Sequence, residues 1–266
     1  MNVMTIEKVD ASVWCEDIER FQCGVFNTKE WVESVSNQYH CAVFFNFKLS
    51  GEVVGKLAGL WVKQGRIKGD QLFFYTGPAL KEPSQELLND CCGALLDFAR
   101  VECIQRVIIG SYDQPSGLVC EVPDFYPNER YEFVVDLQPE SGHVSFSQNL
   151  KRNVKKAKKL KAVLVNRDDP QLIRRLIELL NNTLEQRVSK YGKEYDPFYL
   201  PYMDESCLQR LLDMKVGKFY LVKLEGDEVP HSVLFNIEVG GRVFNLLVGS
   251  DNLAYQYGLA AWQILN

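Results

Sequence analysis

The chain has 266 residues, 46% of them hydrophobic and 24% charged, with a formal net charge of −5. That length suits one large domain or two of about 130 residues, and the acidic balance excludes a protein that coats nucleic acid through a general positive field. No run approaches the roughly 18 apolar residues of a membrane span, and acidic residues stand where a signal peptide needs an apolar core, so the expected address is the cytoplasm. The eight cysteines show no Cys-x-x-Cys spacing. Neither a metal cage nor a disulfide scaffold is expected, and they read as buried, reduced thiols.

In chain order, the first element with a start signal is a short helix over "TKEWVESVSN", capped by Thr28. The stretch "YHCAVFFNFKLSGEVVGKLAGLWVKQGRI" reads as a hairpin turning at Ser50-Gly51. A third strand, "QLFFYTGPAL", is stopped by Gly77-Pro78, because proline cannot donate to a ladder. The helix "SQELLNDCCGALLDFARVE" starts at a Ser84 cap with apolar residues at helical spacing. Two further strands, "RVIIGSY" and "YEFVVDL", flank a proline-rich loop.

The second half opens on "SQNLKRNVKKAKKLKAVLV", which places seven basic residues in the eleven positions from Lys151 to Lys161. Without those seven, the net charge of −5 would be −12. Arg152, Lys155, Lys156 and Lys159 share one helical face, opposite an apolar stripe of Leu150, Val154 and Ala157. Like charges one turn apart repel by a few tenths of a kcal/mol each, a cost that an anionic partner would offset. The strand "AVLV", a long helix from Pro170 to about Lys190, a Tyr- and Pro-rich loop and the helix "ESCLQRLLDM" follow. Then come three strands with turns at Gly226-Asp227 and Gly240-Gly241, and a final helix.

This order repeats the first half: an apolar strand ending in a basic residue and a Gly turn, then two more hydrophobic strands. The expected architecture is a mixed α/β fold of two copies of one unit, residues 1–140 and 141–266, joined near 137–143. The final helix has no counterpart of "RVIIGSY" after it, so the second copy is expected to be incomplete at its C-terminus. Serine elbows, Walker-type loops and His-Glu metal motifs are absent. His231 follows Pro230 in a strand and reads as structural, while His40 and His143 have no partner motif.

Taken together, "YTGPAL", "YEFVVDL", "SFSQNLKRNVKKAKKLKAVLV", "NNTLEQR" and "FNLLVGSDNLAYQYGLAAWQI" resemble the Fem-like branch of the GNAT acyltransferases. The sharpest piece is "LKRNVKKAKK", which is similar to the family's Arg-Asn-(Ile/Val)-(Arg/Lys)-Lys-Ala signature. The resemblance implies tandem GNAT-like acyl-CoA N-acyltransferase units, with a coenzyme A thioester as co-substrate and no metal. It implies transfer of an acyl group to an amine on a sugar or peptidyl cell-envelope precursor. Arg152, whose guanidinium suits phosphate oxygens, is then the first substrate-binding candidate, with Asn153 orienting it or binding substrate and Lys156 beside it. Thr183, Arg187 and Tyr191, one turn apart on the long helix, are candidates for the acceptor site. Gln256, Tyr257 and Gly258 stand where GNAT folds bind the donor's pyrophosphate, although the usual motif has one more glycine. The stretch from Lys190 to Asp204 is too short and too Pro-rich for the helical arm of tRNA-using relatives, which argues against tRNA as donor; DNA is not expected as a partner. The rival reading is a degenerate, non-catalytic scaffold that binds an anionic polysaccharide, a nucleotide-sugar or a protein.

Overall fold

A computed structural model describes residues 3–134, 147–194 and 196–265. The chain falls into two compact units, Met1–Phe133 and Val134–Asn266.

The first unit begins with strand β1 (Met4–Val9) and a short helix α1 (Ala11–Cys15). Helix α2 (Lys29–Val35) starts as expected at Thr28, whose hydroxyl accepts from the Trp31 amide. Strands β2 (His40–Leu49) and β3 (Glu52–Val62) form the anticipated hairpin. Ser50 and Gly51 both have positive φ, 53° and 88°, the geometry of a two-residue turn whose twist matches its strands. After α3 (Gly65–Lys68), the run "QLFFYTGPAL" divides into β4 (Gln71–Phe74) and β5 (Ala79–Leu80), and β5 returns to pair with β3. Helix α4 (Gln85–Val101), capped by Ser84, then leads to β6 (Arg106–Ile109), which lies parallel to β4. The sheet order is β1-β2-β3-β4-β6. Its core joins Phe45, Phe47, Leu57 and Phe74 of the sheet to Leu88, Cys92 and Leu95 of α4.

Strand β1 carries no strong sequence signal because it lies at the sheet edge and alternates half-buried with exposed residues. "YEFVVDL" is corrected in part: Tyr131–Val134 forms no strand, and Tyr131, Phe133 and Val134 are exposed. The rest of that run, the 140/141 boundary, the 137–143 junction and His143 lie outside the described residues.

The second unit contains helix α5 (Gln148–Lys159), strand β7 (Ala162–Arg167), helix α6 (Gln171–Tyr191) and helix α7 (Glu205–Asp213). Strands β8 (Gly217–Leu224), β9 (Ser232–Val239) and β10 (Arg242–Ser250) follow. The final helix is two pieces, α8 (Asn252–Tyr257) and α9 (Leu259–Leu265), broken at Gly258. Strands β7 to β10 form an antiparallel sheet in succession, as β1 to β4 do, and each unit places helices between its first and second strands. The repeated order is therefore a repeated topology. Among the described residues the second sheet has no counterpart of β6.

Alternation along β8 assigns the helices to faces. Gly217 lies against Leu211 of α7, whereas Val222, five residues on and so on the other face, packs with Ala157 of α5 and Leu259 and Trp262 of α9. Helix α6 approaches β10 closely at Gly249, where a Cβ would stand 2.6 Å from Leu179 Cβ and 3.1 Å from the Leu176 carbonyl oxygen.

Candidate functional site

Helix α5 begins at Ser147, whose hydroxyl accepts from the Leu150 amide. Its apolar stripe is turned inward as expected: Ala157 is fully buried, and Leu150 and Val154 are half-buried. Arg152, Lys155, Lys156 and Lys159 are exposed, and no acidic residue occurs from Ser147 to Lys161. Arg152 Nη2 donates to Asn149 Oδ1 at 2.9 Å, within the same helix.

Asn153 lies against the α8–α9 junction. Gly258 has φ +68°, and a Cβ there would stand 2.6 Å from Asn153 Cβ and 2.8 Å from its Cγ. A left-handed residue this near a neighbouring side chain must be glycine. The Gly258 amide caps α8 by donating to the Ala254 and Tyr255 carbonyls, and its own carbonyl accepts from the Trp262 amide. Tyr257 is half-buried on the Ala157–Trp262 cluster, and Gln256 is exposed. Three residues singled out in the sequence, Asn153, Tyr257 and Gly258, thus meet where α5 packs on α8 and α9.

The trio on α6 divides. Thr183 is buried, its hydroxyl donating to the Leu179 carbonyl at 2.9 Å and lying 3.3 Å from the Tyr255 hydroxyl. Gln186 Nε2 donates to Asn252 Oδ1 at 2.7 Å, a second tie from α6 to α8. Arg187 and Tyr191 are exposed. Neither lines the open groove of about 470 Å³ on α6, whose walls are Leu184, Glu185, Val188, Ser189 and Glu194.

The sequence reading missed a polar cluster at the start of β9. His231 Nδ1 is 2.8 Å from Asp251 Oδ2, and its Nε2 is 2.7 Å from Asp227 Oδ2. Asp251 is also the N-cap of α8, Oδ1 accepting from the Ala254 amide at 2.9 Å. Arg175 of α6 donates to the Pro230 carbonyl through Nε and Nη2, and its Nη2 lies 3.7 Å from Asp251 Oδ2. Burial works against a charge on His231, but the hydrogen bonds to Asp227 and Asp251 outweigh it and raise the imidazole above its ordinary 6.5. The four-residue spacing of Asp227 and His231 was the only signal in the sequence. Asp251 arrives through strand pairing, its amide donating to the His231 carbonyl at 3.0 Å.

None of the eight cysteines is in a disulfide. Cys91, Cys92 and Cys207 are buried, but Cys103 is exposed, which corrects the expectation of uniform burial: it follows the end of α4 in a left-handed turn, φ 55°, outside the core. Among the described residues no group of three His, Cys, Asp or Glu side chains is placed to hold a metal ion, and no helix is long and apolar enough to cross a membrane.

Residues 144–265 match the family model described as an acetyltransferase (GNAT) domain. No curated protein matches the chain. Among solved structures, the crystal structure of FemX is similar over 97% of this chain and 84% of its own, with 13% identity and a TM-score of 0.64. At that identity the likeness shows the fold. The family match bears out the GNAT resemblance over residues 144–265, and the likeness to FemX bears out a mixed α/β fold with two sheets.

Proposed function

From a GNAT-type acetyltransferase domain carried on a FemX-like fold, we propose that the chain is an N-acyltransferase that takes its acyl group from a coenzyme A thioester. The acceptor is an amine on a sugar or peptidyl cell-envelope precursor. The observation that supports this best is the packing of Asn153 on the left-handed Gly258 turn, because it brings the cationic helix beside the turn where donor phosphates would sit. On this reading Arg152 and Lys156 face the donor's anionic groups, with Gln256 and Tyr257 at the rim. Arg187 and Tyr191 take the acceptor from the exposed side of α6, and Thr183 holds α8 in place.

The acceptor amine attacks the thioester carbonyl directly, the tetrahedral oxyanion collapses, and the C–S bond breaks to release the thiol. The amine's proton leaves through water. His231 is not the base: with both ring nitrogens on carboxylates it has no lone pair to offer. Positioning and backbone donors would then supply most of the rate. Strand β10 suits this, because it ends its sheet among the described residues and its register shifts between Asn245 and Leu247.

Calorimetric titration with acetyl-CoA tests the proposal. Saturable binding is expected, and Arg152→Ala should weaken it about tenfold, the loss of one charge-assisted hydrogen bond of about 1.5 kcal/mol. Absence of binding would favour the non-catalytic scaffold, a reading supported by the Arg152–Asn149 bond within α5. For the acceptor, Arg187→Ala is expected to raise the apparent Kd about tenfold, on the same footing; unchanged binding of a nucleotide-sugar or peptidyl precursor would remove Arg187 from the site.

A further inference from the structure

The Asp227–His231–Asp251 cluster has a chemical peculiarity that bears on the proposed donor site. An imidazole with a carboxylate on each nitrogen can satisfy both contacts only as the imidazolium, which has two N–H donors. The ring is 16% exposed, so the arrangement is partly shielded from water. The groups facing it are Asp227 from the β8–β9 turn, Asp251 from the β10–α8 junction and, from α6, Arg175 with its partner Glu178. With His231 charged, three carboxylates, Asp227, Asp251 and Glu178, face two cations. Once it is neutral they face Arg175 alone, and one ring nitrogen turns a lone pair toward a carboxylate.

Asp251 does two things at once, and that carries the consequence to the donor turn. Its Oδ2 meets His231 while its Oδ1 caps α8, the helix whose other end is Gly258. We propose that His231 is the positioning residue of the donor site, its imidazolium holding the Asp251 cap to the Asp227 turn and so setting where Gly258 stands against Asn153. The ligand it serves rests on the acyltransferase reading; the clamp itself does not.

The sign follows from the raised imidazole. The contribution of the clamp is complete below pH 6.5, the ordinary histidine value, and is lost as pH rises through the folded-state value above it. Donor affinity should therefore fall toward alkaline pH.

Hydrogen exchange and acetyl-CoA calorimetry at about pH 6 and about pH 9 test this on the full chain, His231→Gln and Asp251→Ser. Protection of amides in residues 252–262 should fall severalfold in the unsubstituted chain at the higher pH, with Kd rising about tenfold, the equivalent of one unit of coupling. In His231→Gln both quantities should be reduced already at pH 6 and no longer depend on pH. Asp251→Ser keeps an oxygen for the α8 cap but removes the partner of the ring, so it should also be flat with pH while retaining more protection at residues 252–257 than Asp251→Ala. Protection in β8 and β9 serves as the internal control for global unfolding. Exchange in His231→Gln that matches the unsubstituted chain at both pH values overturns the proposal, as does a pH-dependent Kd that survives the substitution. If acetyl-CoA binds at neither pH, the acyltransferase reading fails by itself, and the exchange measurements still decide whether the clamp exists.

Discussion

Gly258→Val is expected to weaken acetyl-CoA binding roughly a hundredfold while leaving the first unit folded. Valine in the left-handed region costs about 1–2 kcal/mol, and it would drive a branched side chain into Asn153, with its Cβ 2.6 Å from the neighbouring Cβ. Overpacking of that kind costs about 1–3 kcal/mol more. A combined cost of about 3 kcal/mol corresponds to roughly a hundredfold in affinity if the turn relaxes away from its bound shape. Alanine at the same position separates the two causes. Gly258→Ala in an Asn153→Gly background loses the collision but keeps the backbone strain, so the two substitutions should couple favourably in a double-mutant cycle. Additive effects would show that Asn153 does not support the turn. Gly258→Val that binds acetyl-CoA normally would remove α8–α9 from the donor site altogether.

Lys56→Met is expected to destabilise the first unit by about 3 kcal/mol, visible as an earlier urea transition of that unit with little change in acetyl-CoA binding. Lys56 is 3% exposed on β3, and its ammonium donates to the Trp14 and Glu16 carbonyls at the end of α1. Burial pulls its pKa below the usual lysine range. Its Nζ also lies 5.2 Å from the Phe21 ring centre and 5.9 Å from that of Trp14, so at close range the charge meets dipoles and aromatic faces, while Asp17, Glu16 and Glu19 favour it electrostatically. Methionine keeps most of the volume and leaves both carbonyls without their donor, each worth about 1–3 kcal/mol when buried. Lys56→Ala adds a cavity and should cost more than methionine does. An unchanged urea midpoint in Lys56→Met would mean that the α1 carbonyls find water instead.

Features whose cause lies within a few residues were readable from the chain. Thr28 and Ser84 each accept from the backbone amide three positions on, a bond that depends only on the local turn. The Ser50-Gly51 and Gly240-Gly241 turns were legible for the same reason: two residues of positive φ join strands that alternate correctly on either side. The apolar stripe of α5 followed from helical period alone. The repeat was visible as an order of elements, although not as a register.

Features made by contacts distant in sequence were not readable. Strand β1 owes its existence to β2, which supplies its ladder partners from about 40 residues away. The division of "QLFFYTGPAL" depends on β3, which pairs with β4 and β5 at different points along its length. His231 looked solitary because Asp251 lies 20 positions further on, and only the pairing of β9 with β10 closes that distance.

By itself, then, the sequence determined the local grammar of this protein: where helices start, where hairpins turn, which face of α5 is cationic, and to which family of transferases its Arg-Asn-Val-Lys-Lys-Ala run is similar. Only the tertiary structure decided that Asn153 meets Gly258, that Thr183 is buried beneath Tyr255, and that one aspartate both caps a helix and grips a histidine. Caps and turns are satisfied by neighbours in the chain, whereas a site is assembled from groups that acquire their charges, partners and exposure only after strands and helices have packed.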